Sequence, residues 1–246
     1  MLRVLPISSA SGFAVTIDYT LPTLSSDLEN EVENLWQDEQ KHRGKAMFNG
    51  RIMSALMVDS GGIHGCVTEY RYLIAQRARP ELFPVLRVRP VAVSGLFESA
   101  DGIVFGRRSG MTTQDAGLWE LVPSGGIDTG QDKARQLQVK VDYLAQILTE
   151  LHEETGIGSD AVLSVRPFCL VDDNDSHVLD IGIAMNSSLS ADQVLRMHRE
   201  ATAKEYDELR VIPLSEVEAF IQGEASQLVG VSMMLIQHFS SKPLFK

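Results

Sequence analysis

Glu150, Glu153 and Glu154 are the residues of this sequence whose type and spacing most clearly suggest chemistry. Separations of three and four place Glu150 beside both of the others on one helical face. Gly156 follows at once and reads as a helix stop, so the three acids crowd the negative end of the helix dipole. A helix selected for stability alone would avoid that concentration of like charge. A hard divalent cation, Mg²⁺ or Mn²⁺, resolves it, because such ions favour carboxylate oxygens. On spacing alone a solvated acidic face is the commoner outcome, and the surrounding elements have to decide.

Those elements alternate between strand and helix patterns. Leu137, Val141, Leu144, Leu148 and Leu151 recur at spacings of four and three, which predicts one long helix over 132–155. A Gly-rich loop, Pro123-Ser124-Gly125-Gly126, precedes it. Upstream, the start of the chain and 13–19 read as strands and 27–41 as a helix. Residues 51–75 read as a hairpin whose second strand is 67–75. Strand-like runs follow over 88–108, 162–171 and 178–185. Residues 186–208 form a polar segment, 209–213 a last strand, and 216–222 and 229–239 helices. This order predicts an α/β or α+β fold.

With 246 residues the chain is long enough to bury a core without disulfides. Two cysteines, Cys66 and Cys169, exclude a disulfide scaffold and a cysteine-based zinc site. Thirty-three acidic against 22 basic residues give a net charge of −11, which argues against a dedicated nucleic-acid binder. No apolar run approaches a membrane span, and Pro6 interrupts the opening patch before a signal-peptide core forms, so a cytoplasmic location is expected. His152-Glu153 does not extend to a zinc-protease motif, because Gly156 stands where the second His is required. Residues 172–176 lack the Gly and the distal Glu of a calcium loop and read as an acidic hairpin turn.

Residues 149–157, TELHEETGI, together with the approach GLWELVPSGGID over 117–128, resemble the Nudix box, G-x5-E-x7-R-E-U-x-E-E-x-G-U with U a bulky aliphatic residue. Two positions depart from it: Gln131 stands where the family has Glu, and Thr149 where it has Arg. Ten extra residues separate the two halves, about 2.8 helical turns, which would lengthen the helix without turning its apolar face. The Trp36 helix, Met47-Phe48-Asn49-Gly50, Arg71 and 89–95 (RPVAVSG) resemble the UDP-sugar diphosphatase branch of that superfamily.

The resemblance implies an α/β class fold, a Nudix α/β/α sandwich with a mixed β-sheet. An N-terminal α/β extension over 1–85 would precede a Nudix domain over 86–246. It implies Mg²⁺-dependent hydrolysis of UDP-glucose or UDP-galactose to UMP and a sugar 1-phosphate. Mn²⁺ would substitute, a homodimer is possible, and neither nucleic acid nor membrane is a partner. The alternatives are hydrolysis of ADP-ribose or an ADP-sugar, or a module that binds nucleotide sugars without cleaving them. Glu150, Glu153 and Glu154 would hold the metal. The proton acceptor would be Glu205, with Glu200 and Glu208 behind it and Glu150 the alternative inside the box. Arg107 and Arg108 end a strand and can clamp phosphate, and Arg89 is a further candidate. Phe48, Asn49, Gly125 and Gly126 would shape the nucleotide pocket. Asp128 would reach a water behind the metal, Trp119 is expected to pack rather than stack on a base, and His152 is turned away from the acids.

Overall fold

The computed structural model describes residues 1–19, 23–43, 47–112, 114–129, 136–202 and 205–241. Gln131, one of the two departures from the Nudix pattern, lies outside them.

Two sheets share the molecule. In chain order the elements are β1 (Leu2–Pro6), β2 (Ala14–Asp18), α1 (Ser26–Arg43), β3 (Arg51–Asp59), β4 (Gly62–Glu69), α2 (Tyr70–Ala78) and the short α3 (Phe83–Leu86). Then come β5 (Val91–Ser99), β6 (Gly102–Arg108), β7 (Trp119–Leu121), β8 (Ser124–Gly126), β9 (Val139–Lys140), α4 (Tyr143–Thr155), β10 (Val162–Asp173) and β11 (Leu179–Ser187). The chain closes with α5 (Ala191–Glu200), β12 (Tyr206–Ile212), α6 (Val217–Gly223) and α7 (Gly230–Ser241).

The larger sheet runs β1-β10-β11-β5-β6-β12, with β7 on β6 and β8 on β5. It is mixed, because β11 and β5 pair in parallel and its other pairs are antiparallel. Alternation along β5 sends Val91, Val93 and Phe97 to a core shared with Ile147 and Leu151 of α4 and Val194 of α5. Leu96 packs in a second core with Val217 of α6 and Leu235, Ile236 and Phe239 of α7. Helices therefore cover both faces, an α/β/α arrangement with a mixed sheet as expected.

The smaller sheet, β3-β4-β2-β9, carries α1 and α2, whose Val32, Tyr72 and Leu73 form a third cluster. Strands cross the expected boundary at residue 85 in both directions. β1 borders the larger sheet on β10, and β9 completes the smaller one on β2.

Three element expectations are corrected. The helix expected over 132–155 begins only at Tyr143. The side chain of Asp142 accepts the Ala145 amide at 3.0 Å and caps it there, while Val139–Lys140 pairs with β2. Among the described residues, then, the extra length ahead of α4 forms a strand rather than further helix, and Leu137 is exposed. The strand expected over 67–75 ends at Glu69. Asn49 Oδ1 accepts the Arg71 amide and Gly50 O accepts that of Tyr70, starting α2. The polar segment over 186–208 contains α5, started by a reciprocal capping box between Ser190 and Gln193.

The larger sheet opens in its middle. β5 and β6 pair only next to their turn, Glu98 with Ile103 and Ser99 with Gly102. Beyond that they diverge, and 119–126 fills the wedge, β7 on β6 and β8 on β5.

Candidate active site

The wedge places Glu120 and the Gly-rich loop over the end of α4. Glu120, in β7, is 5% exposed, and Glu154, in the last turn of α4, is 6% exposed. The Tyr206 hydroxyl lies 3.0 Å from Glu120 Oε1 and 3.0 Å from Glu154 Oε2. A phenol has one hydrogen to donate, so one of the two contacts needs a proton on a carboxyl. Burial raises both carboxyls, and for Glu154 the neighbouring Glu120 adds to it. Glu154 Oε2 also accepts the Ser124 amide, and Glu120 Oε1 accepts from the Ser124 hydroxyl.

Glu150 sits one helical turn earlier, its Oε1 accepting from Gln146 Nε2 at 2.7 Å. A Cβ built on Gly125 would lie 2.4 Å from its carboxyl carbon. The loop must therefore be glycine there for the helix carboxylate to reach it. Burial raises the Glu150 carboxyl, and Glu153, Glu205 and Asp128 add to that shift.

Arg108 enters from the end of β6. Its guanidinium donates to Glu120 and, at 2.9 Å, to Glu205. Arg108, Glu120, Ser124, Gly125, Gly126 and Glu205 border one cavity of about 730 Å³.

The other expected residues lie elsewhere. Glu153 is exposed on the solvent side of α4. Arg89 donates to the buried Asp172 at 3.1 Å, an acid it shares with Arg3. Arg107 points away from Arg108, as adjacent strand residues do, and donates to Gly117 O. Phe48 is 79% exposed, and Asn49 is bonded to Glu69 and Arg71. None of these borders the cavity, and Glu150 and Glu154 lie behind the Gly-rich loop rather than on the cavity lining. Glu200 and exposed His152 line a separate groove, and Glu208 pairs with Arg210. Trp119 packs against Phe220 beneath Arg210.

Sequence reasoning left out Glu120 and Tyr206 as site residues. The signal for Glu120 was a lone acid between Trp119 and Leu121 in an apolar strand, since an acid is rarely buried without a purpose.

Among the described residues, no three acidic, His or Cys side chains stand close enough to hold a metal ion as they are. The donor chemistry nevertheless suits a hard cation. Glu150, Glu154 and Glu120 present only oxygen, and burial holds all three above the usual carboxylate range.

No family model matches the chain, and no curated protein matches it. Several solved structures are similar to it. The MutT protein from Methanosarcina mazei Go1 is 18% identical with a TM-score of 0.40, covering 63% of this chain and 96% of that one. A Nudix hydrolase from Nitrosomonas europaea is 14% identical with a TM-score of 0.38, covering 62% and 88%. A bifunctional NMN adenylyltransferase/ADP ribose pyrophosphatase from Francisella tularensis is 17% identical with a TM-score of 0.42, covering 70% and 48%.

Proposed function

We propose that this chain is a Nudix-type hydrolase that cleaves the diphosphate of a nucleoside diphosphate derivative with a divalent cation, Mg²⁺ or Mn²⁺. UDP-glucose or UDP-galactose is the substrate put forward, yielding UMP and a sugar 1-phosphate. The observation that carries this reading is the seat of Glu150 against Gly125. It brings a helix carboxylate against the Gly-rich loop, in the wedge where Glu120, Glu154 and Arg108 also meet.

Glu150 and Glu154 would hold the cation, with Glu120 beside them and Glu153 toward solvent. Such a cation, when bound, screens the charge of the two phosphates. Arg108 supplies the protein's own positive charge. Without substrate its guanidinium is divided between Glu120 and Glu205, and a diphosphate competes for it with bidentate geometry. Engaging Arg108 releases Glu205 to act as the base. A water oxygen bonds to one phosphorus as its proton passes to Glu205. The bond from that phosphorus to the bridging oxygen breaks, and the second phosphate leaves with that oxygen. Gln146 orients Glu150, the alternative acceptor.

The test is incubation with Mg²⁺ and UDP-glucose, UDP-galactose, ADP-glucose or ADP-ribose, with products separated by chromatography. UMP from the UDP-sugars, reduced at least 100-fold in Glu154→Gln, is the expected result. AMP alone would move the substrate to the ADP series. Saturable binding without turnover would make the chain a binding module.

A further inference from the structure

The cavity continues from the acidic wedge across β5 to β11, and the far wall holds an acid the mechanism above does not use. Asp180 lies in β11 between Leu179 and Ile181, both fully buried, and is itself 6% exposed. Its Oδ1 accepts from the Ser94 hydroxyl at 2.8 Å, its one hydrogen-bond partner among the described residues. Both Asp180 and Ser94 border the cavity.

We infer that Asp180 and Ser94 recognise a hydroxyl pair on a glycosyl or ribosyl group carried by the diphosphate, and so select the substrate. The inference rests on the reading above. Three observations support it. First, the pairing places this acid at the right remove. Ser124 pairs with Ser94 on β5, and Asp180 pairs with Ala92 from the other side of that strand. Asp180 is therefore about two strand spacings, roughly 10 Å, from the strand of the Gly-rich loop. The cavity lies on the α7 face of the sheet, opposite α4, and meets the wedge at Arg108, Glu120 and Ser124, so a group attached to a diphosphate held by Arg108 extends that far. Second, the chemistry suits a polyol. A carboxyl with one unused oxygen accepts from a hydroxyl, and the Ser94 oxygen keeps lone pairs for a second. No aromatic ring borders the cavity among the described residues, so a stacked base has no platform there. Third, the fold gains little from this acid. Burial pushes it up to about 6 with one hydroxyl in compensation. A buried acid so poorly compensated destabilises the fold, which is the pattern of a residue kept for binding.

Ribose and the glycosyl group offer the same chemistry, and the experiment separates them. Binding is measured by calorimetry with UDP-glucose, its 2′-deoxyribosyl analogue and its 2-deoxyglucosyl analogue, for the natural chain and for Asp180→Asn. Asp180→Asn is expected to weaken UDP-glucose at least tenfold while its melting temperature stays or rises. One analogue is expected to bind the natural chain at least tenfold more weakly and to lose nothing further in the variant; that analogue names the sugar. The inference is overturned if the natural chain binds all three alike, or if the variant weakens all three by the same factor. Ser94→Ala, which removes the partner hydroxyl, is measured with the same three ligands and decides by the same criteria if Asp180→Asn fails to fold. Binding to the natural chain without turnover would count against the hydrolase and leave the recognition standing. No binding of UDP-glucose would overturn the recognition, and turnover of the ADP compounds would then show the hydrolase intact.

Discussion

At the scale of the residue, Gly125 is where the site is most tightly specified. Its Cβ would fall on the far end of the Glu150 side chain rather than on backbone, so the fold can accommodate it and the site cannot. Gly125→Ala is expected to turn Glu150 away and to lower kcat/KM at least tenfold, about 1.4 kcal/mol in the barrier. Its melting temperature is expected to stay within about 3 °C of the natural chain, the effect of roughly 1 kcal/mol in a protein of this size. Gly223→Ala, which meets nothing within 4 Å and lies outside the site, serves as the control for a glycine-to-alanine change without a clash. Equal activity in the two variants would refute the seat of Glu150 as a catalytic feature. Arg108 is tested by Arg108→Lys, which keeps the charge and loses the fork that spans Glu120 and Glu205. A rise in KM of at least tenfold with folding intact is the expected outcome; an unchanged KM would exclude Arg108 from phosphate binding.

At the scale of the element, α4 carries two of the proposed metal-binding carboxylates, and its start is set by one side chain. Asp142→Ala removes the cap on the Ala145 amide and is expected to cost about 1 kcal/mol, seen as a fall of about 2–4 °C in thermal denaturation. A melting temperature unchanged by the substitution would show that packing alone fixes the helix start. The same residue shows where the sequence was legible and where it was not. The heptad-like leucines ran on past Asp142 toward residue 132, and periodicity alone cannot see that a short strand on β2 competes for Val139. The strand-forming residues 67–75 became helix from Tyr70 onward for a similar reason, since Asn49 and Gly50 supply acceptors from a distant turn. Elements whose hydrogen bonds are local or whose pattern is strong were readable: α1, β5, β6, β10, β11 and α7 fall where the sequence placed them, within a few residues at their ends. The acids of α4 were readable from spacing. Glu120 and Tyr206 were not, because they meet only where the sheet opens between β5 and β6, and Asp180 was not, because its partner Ser94 lies on a strand distant in sequence.

At the scale of the whole molecule, the excess of acid has a consequence for stability. Glu120, Glu150, Glu154 and Asp180 are all raised by burial, so the folded chain holds their protons more firmly than the unfolded one. For a raised acid, stability is full below its unfolded value and declines as pH rises through the folded one. Asp180 alone, moving from 3.8 to about 6, corresponds to about 3 kcal/mol lost by neutral pH. Acids held low, among them Asp173 and Glu69, act in the opposite sense but below their ordinary values of 3.8 and 4.5, so they contribute little to a scan from pH 5 to pH 8. In EDTA the melting temperature is expected to fall across that scan. A cation bound only by the folded chain opposes the fall, by about 2.7 kcal/mol at a hundred times its dissociation constant. It competes with the same protons, so its effect grows with pH. Excess Mg²⁺ is therefore expected to raise the melting temperature more at pH 8 than at pH 5, and Glu154→Gln to reduce that gain. A melting temperature indifferent to Mg²⁺ at pH 8 would mean that the acids of the wedge are neutralised by protons and Arg108 alone, and the metal-dependent mechanism would fall with it.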